Sequence, residues 1–130
     1  MKTLAFRLMP GDDLKNSIID IVRKESITAG FILSCAGSLS FARIRTANES
    51  VIKEYDRKFE IISLSGTLGT EGMHLHIALA DENADMKGGH LLEGCRIYTT
   101  AELIIGLVDG KVFHRKYDAQ TGFKELVIRN

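Results

Sequence analysis

Three of the four histidines in this 130-residue chain lie within seventeen consecutive residues, at positions 74, 76 and 90. His74 and His76 are separated by one residue, and His90 directly follows Gly88-Gly89. Three neutral imidazoles can hold one zinc ion and leave its fourth position open for water or a ligand. The spacing therefore predicts that His74, His76 and His90 together bind one divalent transition metal, with zinc as the expected ion.

The segment around the first two histidines has the alternation of a β-strand. A period of two places His74 and His76 on one face and the apolar residues on the other, namely Leu75, Ile77 and Leu79. The apolar face must meet a core, so both imidazoles are expected to point together toward the opposite surface. A glycine-flanked turn is then expected to bring His90 to them, because glycine permits close backbone approach.

The alternative is that His74 and His76 are polar residues on a solvent-facing strand and that His90 is only a turn residue. The fourth histidine, His114, lies between Phe113 and Arg115-Lys116, a cationic setting typical of an exposed strand. Cys95 follows His90 by five residues and is a second candidate ligand. Both Cys35 and Cys95 have small or apolar neighbours, which favours buried thiols over a disulfide framework.

A catalytic metal site would also need an acid or base and a group that holds an anionic substrate. Glu102 shares a predicted strand face with Tyr98 and Thr100 and is the candidate for the first role. Further candidates are two carboxylates for the same role and three arginines for binding a substrate carboxylate: Glu60, Glu93, Arg43, Arg45 and Arg96. For each of them the alternative is an ordinary solvent-exposed side chain.

The charge balance argues against direct nucleic-acid binding. Seventeen basic and seventeen acidic residues cancel, whereas phosphate neutralisation normally requires a basic excess. The most basic stretch, residues 43–58, is interleaved with acidic residues. No apolar run has the length of a signal peptide core or a membrane span, so we expect a cytoplasmic protein that has no contact with membranes.

The length and a hydrophobic content of 45% predict one packed domain over residues 1–130. An amphipathic helix follows Pro10-Gly11, and strand patterns dominate from Phe31 onward. Asp109-Gly110 is a tight-turn signal that is expected to pair residues 96–108 with residues 111–117 as a hairpin. The predicted fold is α+β: a mostly antiparallel, twisted sheet of about six or seven strands with one long N-terminal helix.

The ordered motifs resemble a known family. They are Ala36-Gly37-Ser38-Leu39, Ser63-Leu64-Ser65-Gly66-Thr67-Leu68, Gly72-Met73-His74-Leu75-His76, Gly88-Gly89-His90-Leu91 and Thr99-Thr100-Ala101-Glu102. Together they resemble the plants-and-prokaryotes conserved (PPC) domain, which stands alone in bacteria and archaea and follows an AT-hook in plant nuclear proteins.

The resemblance implies an α+β fold that assembles as a homotrimer. Stand-alone members are labelled DNA-binding by analogy with the plant proteins, but the Arg-Gly-Arg-Pro AT-hook is missing from this chain, whose sole proline is Pro10. The fold is also similar to that of acetolactate decarboxylases, which hold zinc through a His-x-His pair and a downstream histidine. The matching positions are His74, His76 and His90.

Three functions follow from these observations. The first is a homotrimeric assembly module that carries a three-histidine metal site and binds a protein partner or a small molecule. The alternative is a zinc-dependent enzyme that acts on a small anionic metabolite. The third is non-specific nucleic-acid binding by a basic surface of the trimer, which the neutral charge disfavours. Whether the chain is an enzyme stays open at this point.

Overall fold

The computed structural model describes all 130 residues, Met1–Asn130. The elements in chain order are β1 (Thr3–Leu8), α1 (Leu14–Lys24), β2 (Gly30–Arg45), β3 (Ile52–Tyr55), β4 (Phe59–Gly69), β5 (Gly72–Ala80), β6 (Met86–Leu91), β7 (Arg96–Leu107), β8 (Val112–Asp118) and β9 (Phe123–Arg129). The chain contains no helix that is long and apolar enough to cross a membrane.

The prediction of an α+β fold with one long helix and six or seven strands is wrong. The helix has only 11 residues, and nine strands make the chain mostly β. The helix ends at Lys24 because Glu25 caps it and Ser26 adopts a left-handed backbone conformation, with φ of 51°. Strands β3 and β6 have no strand pattern in the sequence, because they have only four and six residues and carry charged residues or glycines.

Helix α1 forms because its first turn is capped and one of its faces is apolar. The Asp13 carboxylate accepts a hydrogen bond from the Asn16 amide at 3.0 Å, which satisfies one of the free amides of the first turn. Leu14, Ile18 and Val22 recur at helical spacing and are buried against the sheet. The helix therefore closes one side of a core that contains 23 buried residues.

The main sheet has seven strands, all paired antiparallel, in the order β1-β7-β2-β4-β5-β6 with β3 alongside β2. The end of β2 also pairs with β6, through Ile44 with Leu91 and Arg45 with His90. Strands β2, β4, β5 and β6 therefore form a closed ring, in which the outer edge of β6 is paired and not left free as in an open sheet. The sixteen residues of β2 make this possible, because its two halves pair with different neighbours.

The predicted hairpin between β7 and β8 does not form. Strand β7 is already paired on both sides, with β1 on one edge and β2 on the other, so no edge remains for β8. Strand β8 instead pairs with β9 in a separate two-stranded sheet, from Val112 opposite Arg129 to Asp118 opposite Phe123. We call this segment, residues 112–129, the C-terminal hairpin.

Candidate metal centre

Strand β5 presents its histidines as the sequence pattern predicts. Leu75, Ile77 and Leu79 are buried in the core, whereas His74 and His76 are exposed on the opposite face. Each apolar residue removed from water stabilises the strand by roughly 1.5–3 kcal/mol, which fixes the register that turns both imidazoles outward. The orientation of the two ligand candidates is therefore set by the core and not by contacts of the rings themselves.

His90 reaches the other two histidines from a strand and not from the expected turn. It lies on β6, directly across from His76 on β5. The glycines that precede it allow this close packing: a Cβ on Gly88 would lie 2.6 Å from the Ile77 carbonyl oxygen, and one on Gly89 would lie 2.5 Å from the Arg45 carbonyl oxygen. Gly88-Gly89 is thus required where β6 is enclosed between β5 and β2.

The three imidazoles form one compact cluster. The Nε2 atoms of His74 and His76 are 3.1 Å apart, and the ring centroids of the three pairs lie 4.7, 5.3 and 5.8 Å apart. One nitrogen from each ring can be chosen so that all three lie within 4.8 Å of one another. This group of three could therefore hold a metal ion.

Burial keeps two of the rings in the neutral form that binds metals. It lowers the pKa of His90 to about 4, with smaller contributions from the Arg45 guanidinium and His74. His74 is exposed overall, but the partial removal of its ring from water lowers its pKa too, and the charges of His76 and Arg115 add to this effect. Both rings consequently carry a free lone pair at pH 7. In addition, Nδ1 of His90 is buried without a hydrogen-bond partner.

Two open clefts adjoin the cluster. The larger, of about 420 Å³, contains His74 and His90, and the smaller, of about 380 Å³, contains His76 and His90. Arg45 lines both of them. The larger cleft is completed by three charged residues of the C-terminal hairpin and two glutamates from loops: Arg115, Lys124, Glu125, Glu49 and Glu71.

The structure separates most of the predicted accessory residues from the cluster. Glu102 lies on β7, opposite Arg7 of β1 and Ala36 of β2, and lines neither cleft. Glu60 lines a different cavity, near the start of β4, together with Ser38 and Lys58.

The arginines likewise divide into two groups. Arg43 is engaged with Glu54, at 3.5 Å, and with the Glu93 carbonyl oxygen, at 3.4 Å. The guanidinium of Arg96 lies 5.1 Å from the centroid of the Phe41 ring. Of the three predicted arginines only Arg45 lines the clefts. Sequence reasoning did not single out Arg115, Lys124 or Glu125, because nothing in the local pattern shows that the hairpin folds back beside β5.

The cysteines are not part of the cluster. Cys35 and Cys95 are both free and buried, and burial raises the pKa of each thiol to about 11. The Cys95 sulfur instead lies 3.3 Å from the backbone nitrogen of Arg43 and 3.4 Å from its carbonyl oxygen. The candidate centre therefore consists of imidazoles alone.

The chain belongs to the Plants and Prokaryotes Conserved (PCC) domain family, whose profile matches residues 1–109. This confirms the resemblance that the motifs indicated. A hypothetical protein from Salmonella cholerae-suis shares 36% identity and the fold, with a TM-score of 0.96 over 99% of this chain and 94% of that one. A metal-containing protein from Archaeoglobus fulgidus shares 27% identity, with a TM-score of 0.87 over 98% of this chain and 94% of that one.

The chain is also similar to part of a much longer protein. It is 41% identical, over 99% of its length, to the bifunctional protein GlmU from Synechococcus sp. strain JA-2-3B'a(2-13). It covers 20% of that protein. The chain therefore spans about a fifth of the length of the curated relatives it matches.

Proposed function

We propose that this chain is a metal-binding member of the PCC family, in which His74, His76 and His90 hold one zinc ion per chain and leave one position for a small ligand. The observation that carries the proposal is the convergence of three imidazole nitrogens within 4.8 Å from two adjacent strands. The metal-containing relative from Archaeoglobus fulgidus, at 27% identity, supports it.

The geometry of the rings suits such an ion. Zinc–nitrogen bonds of about 2.0–2.1 Å with tetrahedral angles place ligand nitrogens roughly 3.3–3.4 Å apart. The His74–His76 separation of 3.1 Å is close to this value, and the ligand nitrogen of His90 lies within 4.8 Å of the other two. A buried nitrogen without a partner costs about 1–3 kcal/mol, and an ion bound through Nδ1 of His90 would relieve that cost.

The residues of this chain have separable tasks in the proposed site. The core-facing leucines and isoleucine of β5 orient His74 and His76, and the paired strands β2, β5 and β6 position His90. When bound, zinc supplies a Lewis acid that can hold an oxygen of a small ligand. The imidazoles bring no negative charge, so the ligand position keeps the full positive charge of the ion.

We also propose that the protein assembles as a homotrimer, as its family resemblance implies. Exposed apolar side chains on three strands of the main sheet support assembly: Leu33 on β2, Ile62 on β4 and Tyr98 on β7 have 48%, 55% and 41% of their surface accessible. Covering such side chains stabilises an interface by about 25 cal/mol per Å² of apolar surface. Ile62→Asp should shift the mass in light scattering from three chains to one, whereas Ile128→Asp, on the C-terminal hairpin, should not.

Duplex DNA is not part of this proposal, because the basic and acidic residues of the chain cancel. Non-specific DNA-binding proteins show dissociation constants of about 10⁻⁴–10⁻⁶ M at physiological salt. A fluorescence-anisotropy titration should therefore show no sub-micromolar binding. Tight binding that weakens steeply with added salt would contradict this expectation, since it would report many phosphate contacts.

The metal site is tested by stoichiometry. Protein prepared without a histidine tag is incubated with excess zinc, dialysed and analysed by inductively coupled plasma mass spectrometry. We expect one zinc per chain. A content well below one per chain would contradict the proposed function.

A further inference from the structure

The C-terminal hairpin is docked beside the histidine cluster by specific contacts, although it pairs with no strand of the main sheet. The Glu71 carboxylate, in the turn between β4 and β5, accepts hydrogen bonds from the Arg115 amide at 2.8 Å and from His114 Nδ1 at 3.0 Å. Phe113 is buried, and its amide donates to the Thr28 carbonyl oxygen at 2.8 Å. These contacts fix β8 at the end of β5 where His74 lies.

Two arginines are thereby held on different sides of the cluster. Arg115 Nη2 donates to Thr67 Oγ1 at 2.8 Å, and Thr67 is the cross-strand partner of His74. Arg45 is the cross-strand partner of His90, and its guanidinium lies 5.8 Å from the centroid of the Phe123 ring on β9. Both side chains line the larger cleft.

These arginines retain hydrogen-bonding capacity for a ligand. A guanidinium has five N–H donors. Arg115 uses one of its terminal nitrogens for Thr67, and the side chain of Arg45 donates no hydrogen bond and forms no ion pair. The Glu71 carboxylate accepts from His114 and from the Arg115 amide and forms no ion pair with either guanidinium.

The charge of the cleft favours an anion once a metal is bound. Three basic and three acidic side chains line it, so they cancel, and the neutral imidazoles add nothing. A bound dication therefore leaves two positive charges uncompensated next to two guanidinium groups, and electrostatic arguments at a metal site must include the charge of the ion. An anionic ligand would relieve this excess.

We propose that the C-terminal hairpin makes the histidine centre a recognition site for a small oxyanion, either a carboxylate or a phosphate ester, whose oxygens receive hydrogen bonds from Arg45 and Arg115. The proposal rests on the proposed metal site, because the metal supplies the positive charge that sets the sign of the ligand. Arginine suits the role since its planar donors match the oxygens of both groups. Arg45 approaches from β2 beside His90, and Arg115 from β8 beside His74.

The test uses zinc-loaded full-length protein and two probes, lactate for the carboxylate and methyl phosphate for the phosphate ester. Dissociation constants are measured by ¹⁵N NMR titration after the zinc content of each sample has been determined. Arg45→Gln and Arg115→Gln should keep one zinc per chain and weaken the preferred probe at least about tenfold, the effect of losing a hydrogen bond to a charged group. Lys116→Gln is the matched control, because it removes a charge beside Arg115 from a residue outside the cleft.

The outcomes separate the two proposals. Tighter binding of lactate assigns a carboxylate ligand, and tighter binding of methyl phosphate assigns a phosphate ester; either result, with both arginine variants weakened, supports recognition. Zinc-loaded wild type that binds neither probe overturns the recognition proposal. Arginine variants that bind the probe as tightly as wild type also overturn it, and so does a Lys116→Gln variant that is weakened as much as the arginine variants. If Arg115→Gln releases the hairpin from the sheet, the affinity of the Arg45→Gln variant alone decides between these outcomes. Wild-type protein that retains no zinc contradicts the proposed function, and the recognition proposal then fails as well.

Discussion

His76 on β5 and His90 on β6 are direct cross-strand partners, and each also faces a residue on the next strand outward, Ser65 on β4 and Arg45 on β2. Cross-strand partners hold their Cβ atoms about 4.5–5.5 Å apart, so the sheet register itself brings these two rings together. His74 joins them from two residues along the same face of β5. The candidate centre is therefore a product of backbone pairing, and it should survive side-chain changes that leave the pairing intact.

Removing one imidazole should abolish metal binding without unfolding the protein. His76→Ala leaves Leu75 and Ile77 in the core, so far-ultraviolet circular dichroism should match that of wild type. Zinc affinity should fall by at least about 100-fold, since even losing an outer partner of a ligand costs 10–100-fold. His114→Ala is the control, because His114 pairs with Glu71 and lies outside the cluster. Equal zinc affinity in the His76 and wild-type proteins would contradict the assignment.

The two glycines before His90 should be as important for zinc binding as the histidine ligands themselves. Gly89→Ala places a Cβ 2.5 Å from the Arg45 carbonyl oxygen, which forces β6 away from β2. We expect a loss of about 1–3 kcal/mol in the free energy of unfolding, the usual cost of overpacking, together with weaker zinc binding. Urea denaturation and a zinc titration measure the two effects. A variant with unchanged stability and unchanged zinc affinity would show that the close approach of β6 to β2 is not needed.

Glu71 should tie the C-terminal hairpin to the sheet in a pH-dependent manner. The hydrogen bonds from the Arg115 amide and His114 lower the pKa of this carboxyl below its usual range. Because the pKa of Glu71 is lower in the folded state, its carboxylate stabilises the fold at pH values above the unfolded-state pKa. This stabilisation is lost as pH falls through the folded-state pKa. Glu71→Gln should therefore speed hydrogen exchange in residues 112–129 at neutral pH, and the wild type should show the same change only in acid.

Glu49→Gln is the control for this experiment, because Glu49 lines the same cleft but makes no hydrogen bond to the hairpin. Hydrogen exchange in the hairpin that is equally fast in the Glu49 variant would argue that charge in the cleft, and not the specific contacts of Glu71, holds the segment. Hydrogen exchange that is unaffected in both variants would show that Phe113 and the backbone contacts are sufficient to hold the C-terminal hairpin.

Both thiols should be inert in the folded protein. Burial raises the pKa of Cys35 and of Cys95 to about 11, so almost no thiolate is present at pH 8. With an aromatic disulfide reagent at this pH, neither cysteine should react in the native state, and both should react in denaturant. Rapid reaction of one thiol in native protein would contradict the burial of that residue.

The sequence predicted the parts of the structure that follow from local periodicity. The alternation in β5 placed His74 and His76 on one face, because the burial of Leu75, Ile77 and Leu79 dominates that strand. Strand β6 could not be predicted in the same way, since Gly88-Gly89 has low strand propensity and is stable as a strand only between β5 and β2. The turn signal at Asp109-Gly110 predicted a hairpin between β7 and β8 that does not form. Whether β7 has a free edge depends on β1 and β2, which lie far away in the chain.

The accessory residues of the site were the least predictable. Arg115 and Glu125 face the cluster only because the C-terminal hairpin folds back beside β4 and β5, a long-range arrangement that no local pattern encodes. The polar strand face of Glu102 makes it a candidate acid or base, but that face belongs to a different part of the sheet. Periodicity thus identifies which face a residue lies on, whereas the grouping of faces into a site depends on topology.

The most direct measurement of the central claim is X-ray absorption at the zinc K-edge on untagged, zinc-loaded protein. Three imidazole ligands and one oxygen ligand at about 2.0–2.1 Å are the predicted coordination shell, whereas His76→Ala, treated in the same way, should retain no zinc to measure. A shell that contains sulfur at about 2.3 Å, or one with fewer than three imidazoles in the wild-type protein, would contradict a metal centre formed by His74, His76 and His90.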